Sequence, residues 1–88
     1  MKVKKRDGNV QPFSMDKIKL TLERVSDELN QPFTGGDLRL ITREIEKEIN
    51  KTEKEIINSS EIKKIVIEAL ERLSFKQIAK AYEEFNKK

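Results

Sequence analysis

The chain has no cysteine, no histidine and no tryptophan, and among its 88 residues only three are glycine and two proline. Without cysteine there is no disulfide framework and no thiol chemistry, and without cysteine or histidine the usual ligands of a structural zinc are missing. No apolar run approaches the ~20 residues that a membrane-spanning helix needs. The N-terminus is basic but lacks the apolar segment of a secretory signal, so a cytoplasmic location is the expectation. Excess charge of one sign is small too. A formal net charge of +3 permits an anionic partner without requiring one.

What is present is charge and periodicity. Hydrophobic residues make up 35% of the chain and charged residues 40%, yet both signs are interleaved and the apolar positions recur regularly. That pattern describes a folded, highly solvated surface and not disorder. No repeat, low-complexity segment or shift in composition marks a boundary, so residues 1–88 read as one domain, with a core near the lower limit for independent folding.

The stretch from Lys2 to Ile18 carries the densest information. It gathers Lys2, Lys4, Lys5, Arg6 and Lys17 around Val3, Val10, Phe13 and Ile18. Asp7-Gly8 between two short extended runs predicts a tight hairpin turn, because glycine tolerates the positive φ that such turns demand. Strand alternation then puts Val3 and Lys5 on one face and Lys4 and Arg6 on the other, unless the twist of the turn re-aims Arg6. Pro12 lacks an N–H and ends the second run or confines it to an edge, and Ser14 offers a hydroxyl cap to a helix with Asp16 in its first turn. Cations and free backbone N–H groups beside a few apolar side chains suit a ligand with phosphates at one end and a flat ring at the other.

Beyond it, Ile18, Leu22, Val25 and Leu29 predict a helix over about 15–29. Asn30-Gln31-Pro32 breaks the pattern. Gly35-Gly36 lacks the following Lys-Ser or Lys-Thr of a phosphate-binding loop and reads as a connector, with Asp37 opening a second helix over about 37–50 whose apolar face is Leu38, Ile41, Ile45 and Ile49. Its Glu and Lys residues read as a solvated face with i,i+4 support, not as an acid–base pair. Glu55-Ile56-Ile57 reads as a short third strand or as the tail of a helix, the strand being the favoured reading. Asn58 or Ser59 caps a third helix, Asn58 with Glu61 having the capping-box form, and Ile62, Ile65, Val66, Ala69, Leu70 and Leu73 make its broad apolar face. Ser74 with Gln77 repeats the capping logic for a fourth helix that faces Ile78, Ala81, Tyr82 and Phe85 inward. The fold class is therefore α+β and mainly α, a four-helix bundle with a small N-terminal β-hairpin or three-stranded sheet.

Lys4-Lys5-Arg6-Asp7-Gly8, Val10, Pro12-Phe13 and Asp16-Lys17-Ile18, followed by Ser59-Ser60-Glu61-Ile62, Val66, Ala79 and Tyr82, together resemble the ATP-cone domain. This is the nucleotide-sensing module of many ribonucleotide reductases and of the repressor of their genes. The resemblance covers nearly the whole chain and implies a helical bundle capped by the small sheet, with the nucleotide between them. It implies that Val3, Phe13, Ile18 and Ile62 wall the base, that Gln11 and Ser14 bond its polar edge, that Lys5, Arg6 and Lys17 hold phosphates, and that Ser59 and Lys63 contact sugar or phosphate. Each apolar member also reads as plain core. The family often ends its fourth helix with an Arg a turn after the Tyr; Asn86 stands there in this chain, so that contact is absent or passes to Lys87 or Lys88.

Ribonucleotide reduction needs radical-bearing cysteines, and hydrolysis of ATP needs a Walker motif or a water-activating base; the chain offers neither, so the expectation is a regulatory ligand-binding domain without catalytic residues. The implied effector is ATP or dATP, with or without Mg²⁺, and the implied partner is a reductase catalytic domain in cis or in trans; a homo-oligomer stays open. Two alternatives remain at the level of sequence. One is a small helical nucleic-acid-binding module, since residues 73–82 resemble a helix-turn-helix start with Lys76 and Lys80 a turn apart, although Glu83 and Glu84 follow. The other is a degenerate cone serving as an interaction bundle.

Overall fold

The computed structural model describes residues 1–85, so the expectations placed on Asn86, Lys87 and Lys88 lie outside the described residues. In chain order the elements are strands β1 (Lys2–Lys4) and β2 (Val10–Pro12), helices α1 (Met15–Glu28) and α2 (Gly35–Thr52), strand β3 (Ile56–Asn58), and helices α3 (Ser59–Arg72) and α4 (Lys76–Phe85). The predicted α+β, mainly α, class is the one observed, with the three-stranded form of the sheet. Its order is β2-β1-β3, antiparallel between β1 and β2 and parallel between β1 and β3.

The apolar stripes read from the sequence converge on one core. Leu22 and Val25 from α1, Ile41, Ile45 and Ile49 from α2, and Ile78 and Tyr82 from α4 surround Val66, Ala69 and Leu70 of α3, and Val3 and Ile57 close it from the sheet. Helix α3 packs against α2, α4 and β3 and so links the bundle to the sheet. Truncating a side chain as enclosed as Ile45 to Ala costs about 2–5 kcal/mol. Ser26 is a buried polar residue in this interior, and its hydroxyl donates to the Glu23 carbonyl at 2.9 Å.

Capping departs from the sequence reading in an instructive way. Gly35 and Gly36 are no connector: Thr34 starts α2 with a complete capping box, its Oγ1 accepting from the Asp37 N–H at 3.0 Å while the Asp37 carboxylate accepts from the Thr34 N–H at 3.1 Å. Ser74 does not cap α4. It is the left-handed residue (φ +72) that ends α3, where the Ser74 N–H bonds the Glu71 carbonyl and the Phe75 N–H bonds the Leu70 carbonyl. The same pair of bonds ends α1 around Asn30 (φ +55), from Asn30 to Asp27 and from Gln31 to Ser26. These are Schellman closures, which satisfy orphan carbonyls at helix ends by placing one residue in the left-handed region. The two turns also meet: Gln31 Nε2 donates to Gln77 Oε1 at 2.6 Å, and the Phe33 and Phe75 rings stack edge to face at 5.3 Å.

Ionic contacts run along the α2–α3 seam. Arg72 pairs with Glu44 and approaches Glu48 at 3.8 Å, and Lys51 pairs with Glu48 at 3.1 Å. The Lys51 ammonium, by hydrogen bonding and then by charge, holds the Glu48 carboxyl below its ordinary range. A depressed folded value means that this contribution is present above the ordinary carboxylate pKa and is lost as pH falls through the lowered one.

Because serine has a Cβ that resists the left-handed region, Ser74→Gly should raise stability by about 0.5–1 kcal/mol and Ser74→Val should lower it. Thermal melting of the two variants checks the sign, and a lower melting temperature for Ser74→Gly would contradict the Schellman assignment.

Candidate functional site

The strand pairing sets the geometry around the N-terminus. Val3 stands between Gln11 on one side and Ile57 on the other, so the three share a face of the sheet. Val3 and Ile57 are buried against the bundle, while Gln11, on the edge strand, is exposed at the rim of that same face. Lys2 and Lys4 project from the opposite face beside Val10 and Ile56, which are 47% and 50% exposed.

The strand stops at Lys4, so the expected alternation does not reach Lys5 and Arg6. The Lys5 N–H bonds the Asn9 carbonyl at 2.7 Å and the Gly8 N–H bonds the Lys5 carbonyl at 2.9 Å. The hairpin therefore turns through three residues, Arg6, Asp7 and Gly8, with Gly8 at φ +91, and not through Asp7-Gly8 alone. A three-residue turn closed by a positive-φ glycine is a common hairpin solution. Asp7, the acid nearest these cations in the chain, is held inside the turn, its carboxylate accepting from the Asn9 N–H and from Asn9 Nδ2, each at 3.0 Å.

Parallel pairing with β3 then does what sequence order conceals. Asn58 lies beside Lys4, so α3 begins with Ser59 at the end of the sheet where the Lys5–Asn9 turn emerges. Phe13 sits at the other end, its N–H bonded to the Met1 carbonyl at 3.0 Å, and leads into Ser14 and α1. Three strand residues separate the two ends by roughly 10 Å. On α3, Ser59, Ile62 and Lys63 fall at i, i+3 and i+4 and share a helix face, with Ile62 buried and the other two half-buried. Ile18 joins Val3 and Ile62 in the core, and Phe13 packs partly buried against it. Lys17 is exposed on the first turn of α1, and among the described residues no hydrogen bond or ion pair ties it to the turn cations.

Two electrostatic features occur together at this end of the molecule. Among the described residues Lys2, Lys4, Lys5, Arg6 and Lys17 enter no ion pair, whereas Lys51, Lys54 and Arg72 are paired, Lys54 with Glu61 at 2.7 Å. Both helices that start at the sheet also lack a side-chain cap. Ser14 and Asn58 occupy the N-cap positions of α1 and α3 without bonding the first turn. The capping roles expected of the Ser14 hydroxyl and of Asn58 with Glu61 are thus not realised, Glu61 being engaged by Lys54. First-turn N–H groups left open, with cations nearby, form a positive region suited to an anion.

The sequence reading did not say which of Ile56 and Ile57 faces the core, and it gave no role to Asn9, which holds Asp7 within the turn. The signal for Ile57 was period two: of Ile56 and Ile57, one must face the core. Two shallow hollows of about 480 and 510 Å³ lie elsewhere, on α2 and along the α2–α3 seam, floored by charged side chains. Among the described residues no helix is long and apolar enough to cross a membrane, and no group of three acids forms a metal cluster. Lys76 and Lys80 of the helix-turn-helix alternative are exposed on α4, but so are Glu83 and Glu84.

Compared with known families, the chain matches the one described as the ATP cone domain, over residues 1–88. No match is found among curated proteins. For the turn, Gly8→Val should cost about 1–2 kcal/mol, because nothing crowds the position and only its positive φ resists a β-branched side chain. Chemical denaturation measures this, and an unchanged midpoint would mean that the turn rearranges freely.

Proposed function

The chain belongs to the ATP-cone family, a family of nucleotide-binding allosteric regulatory domains whose effectors are adenine nucleotides, and from that premise we propose that residues 1–88 form one domain that senses ATP and dATP and controls the overall activity of a ribonucleotide reductase, in cis or in trans. The observation that carries the site is the unpaired Lys5–Arg6 turn set beside the uncapped start of α3. Lys5, Arg6 and Lys17 serve as the phosphate cations, and Ser59 and Lys63 contact sugar or phosphate. Val3, Phe13, Ile18 and Ile62 wall the base, and Gln11 and Ser14 bond its polar edge. Mg²⁺, where it accompanies the nucleotide, would ride on the phosphates, as it commonly does.

The domain binds its effector and does not turn it over. Regulation follows from differential affinity, since an effector shifts a conformational equilibrium only by as much as it binds the two states unequally. ATP and dATP differ by one hydroxyl, worth about 1 kcal/mol, or roughly fivefold in affinity. Larger regulation then requires an attached partner or several copies responding together.

Isothermal titration calorimetry with ATP, dATP, AMP and GTP in the presence of Mg²⁺ tests the reading. Saturable binding of ATP or dATP, weaker for AMP and for GTP, is expected, which would locate affinity in both phosphates and base. Lys5→Ala combined with Arg6→Ala should abolish triphosphate binding and leave the melting temperature within a few degrees, since both side chains are exposed. Unchanged affinity in that variant would remove the assigned phosphate site. No heat with any nucleotide would favour a degenerate cone that serves as an interaction bundle.

A further inference from the structure

Helix α2 sorts its charge by face. Its apolar residues Ile41, Ile45 and Ile49 are buried, and Glu44 and Glu48 are drawn to the seam by Arg72 and Lys51. The outward face carries Arg39, Arg43 and Lys47, four residues apart and exposed, in a row that ends at Lys51, the partner of Glu48, with Leu40 beside them at 53% exposure and Glu46 as the acid among them. Arg39, Arg43 and Lys47 make no hydrogen bond or ion pair among the described residues. Ordinary solvated helices gain by interspersing opposite charges at i,i+4. Here the opposite charges are used elsewhere and a cationic row remains.

We propose that this face of α2 docks an acidic amphipathic helix of a partner protein. Charge complementarity calls for carboxylates, and the row's rise of about 6 Å per step equals one helical interval of four residues. An extended strand presents same-face side chains every ~6.7 Å and falls out of step by about 2 Å over the row. Leu40 offers an apolar contact that a phosphate backbone cannot use. Among the described residues this face carries no aromatic ring on which bases could stack, and Glu46 would repel phosphates. This face is opposite the one that packs on α1 and α3, so the described helices leave it open. The proposal does not depend on the nucleotide reading, since α2 contributes none of the residues assigned to that site.

The probe is a helix-forming peptide with Glu at every fourth position and Leu beside them, titrated into the full chain and followed by amide chemical shifts, with its Gln-for-Glu counterpart and a duplex oligonucleotide as comparisons. Shifts confined to α2 and weakening with added salt are expected, with little response to the Gln peptide. Arg39→Glu, Arg43→Glu and Lys47→Glu together should reduce affinity about tenfold or more, and a Lys-bearing peptide should bind that variant, which separates charge reversal from loss of fold. Leu40→Ala should weaken the original peptide severalfold. Shifts away from α2, equal binding of the Gln peptide, unchanged affinity in the triple variant, or tighter binding of the duplex to the same face would each overturn the proposal.

Discussion

The pairing of β1 with β3 is the constraint on which the rest of the molecule depends. Strands of three residues cannot persist by their own hydrogen bonds, and a parallel pair cannot be joined by a tight turn. Residues 2–4 meet residues 56–58 only because α1 and α2 pack and return the chain to its beginning. Ile57 is then enclosed beside Val3, and the sheet gains from the bundle the burial that it lacks alone. The hairpin is a local structure, but its position is a property of the whole core.

That pairing also arranges charge. It sets the cationic turn beside the start of α3 and leaves the start of α1 at the opposite end of the same small sheet. Asp7 is held within its turn and Glu61 by Lys54, while Glu44 and Glu48 answer Arg72 and Lys51 on the α2–α3 seam. Cations without an ion pair therefore gather at the turn, where the resemblance to ATP cones implies phosphates, and separately along the back of α2. A net charge of +3 would not have indicated either. The distribution matters because screened surface charges act over only about 8–10 Å.

Several local readings erred for one shared reason. Ser74 has the residue type of a helix cap, and Gly35-Gly36 has the look of a loop. Cap preference is worth about 1 kcal/mol, less than the gain from closing a helix with Schellman bonds and burying Phe75 and Phe33 against the core. Neighbouring packing therefore decided which end of which helix each residue served. Thr34 won the cap of α2 because Asp37 stands three residues on to complete the reciprocal pair.

The sequence by itself determined the class of the fold, the four apolar stripes and the cationic hairpin, because periodicity and turn chemistry act within a few residues. It also carried the family, through motifs spread from Lys4 to Tyr82. Only the tertiary structure decided that β3 joins β1 in parallel and that Asn58 lies beside Lys4. It alone decided that Gln11 shares the face of Val3 and that the cations at the sheet stay unpaired while Lys51, Lys54 and Arg72 find carboxylates. Register and ion pairing join residues far apart in the chain, and the energies that select them exist only once the core has brought those residues together.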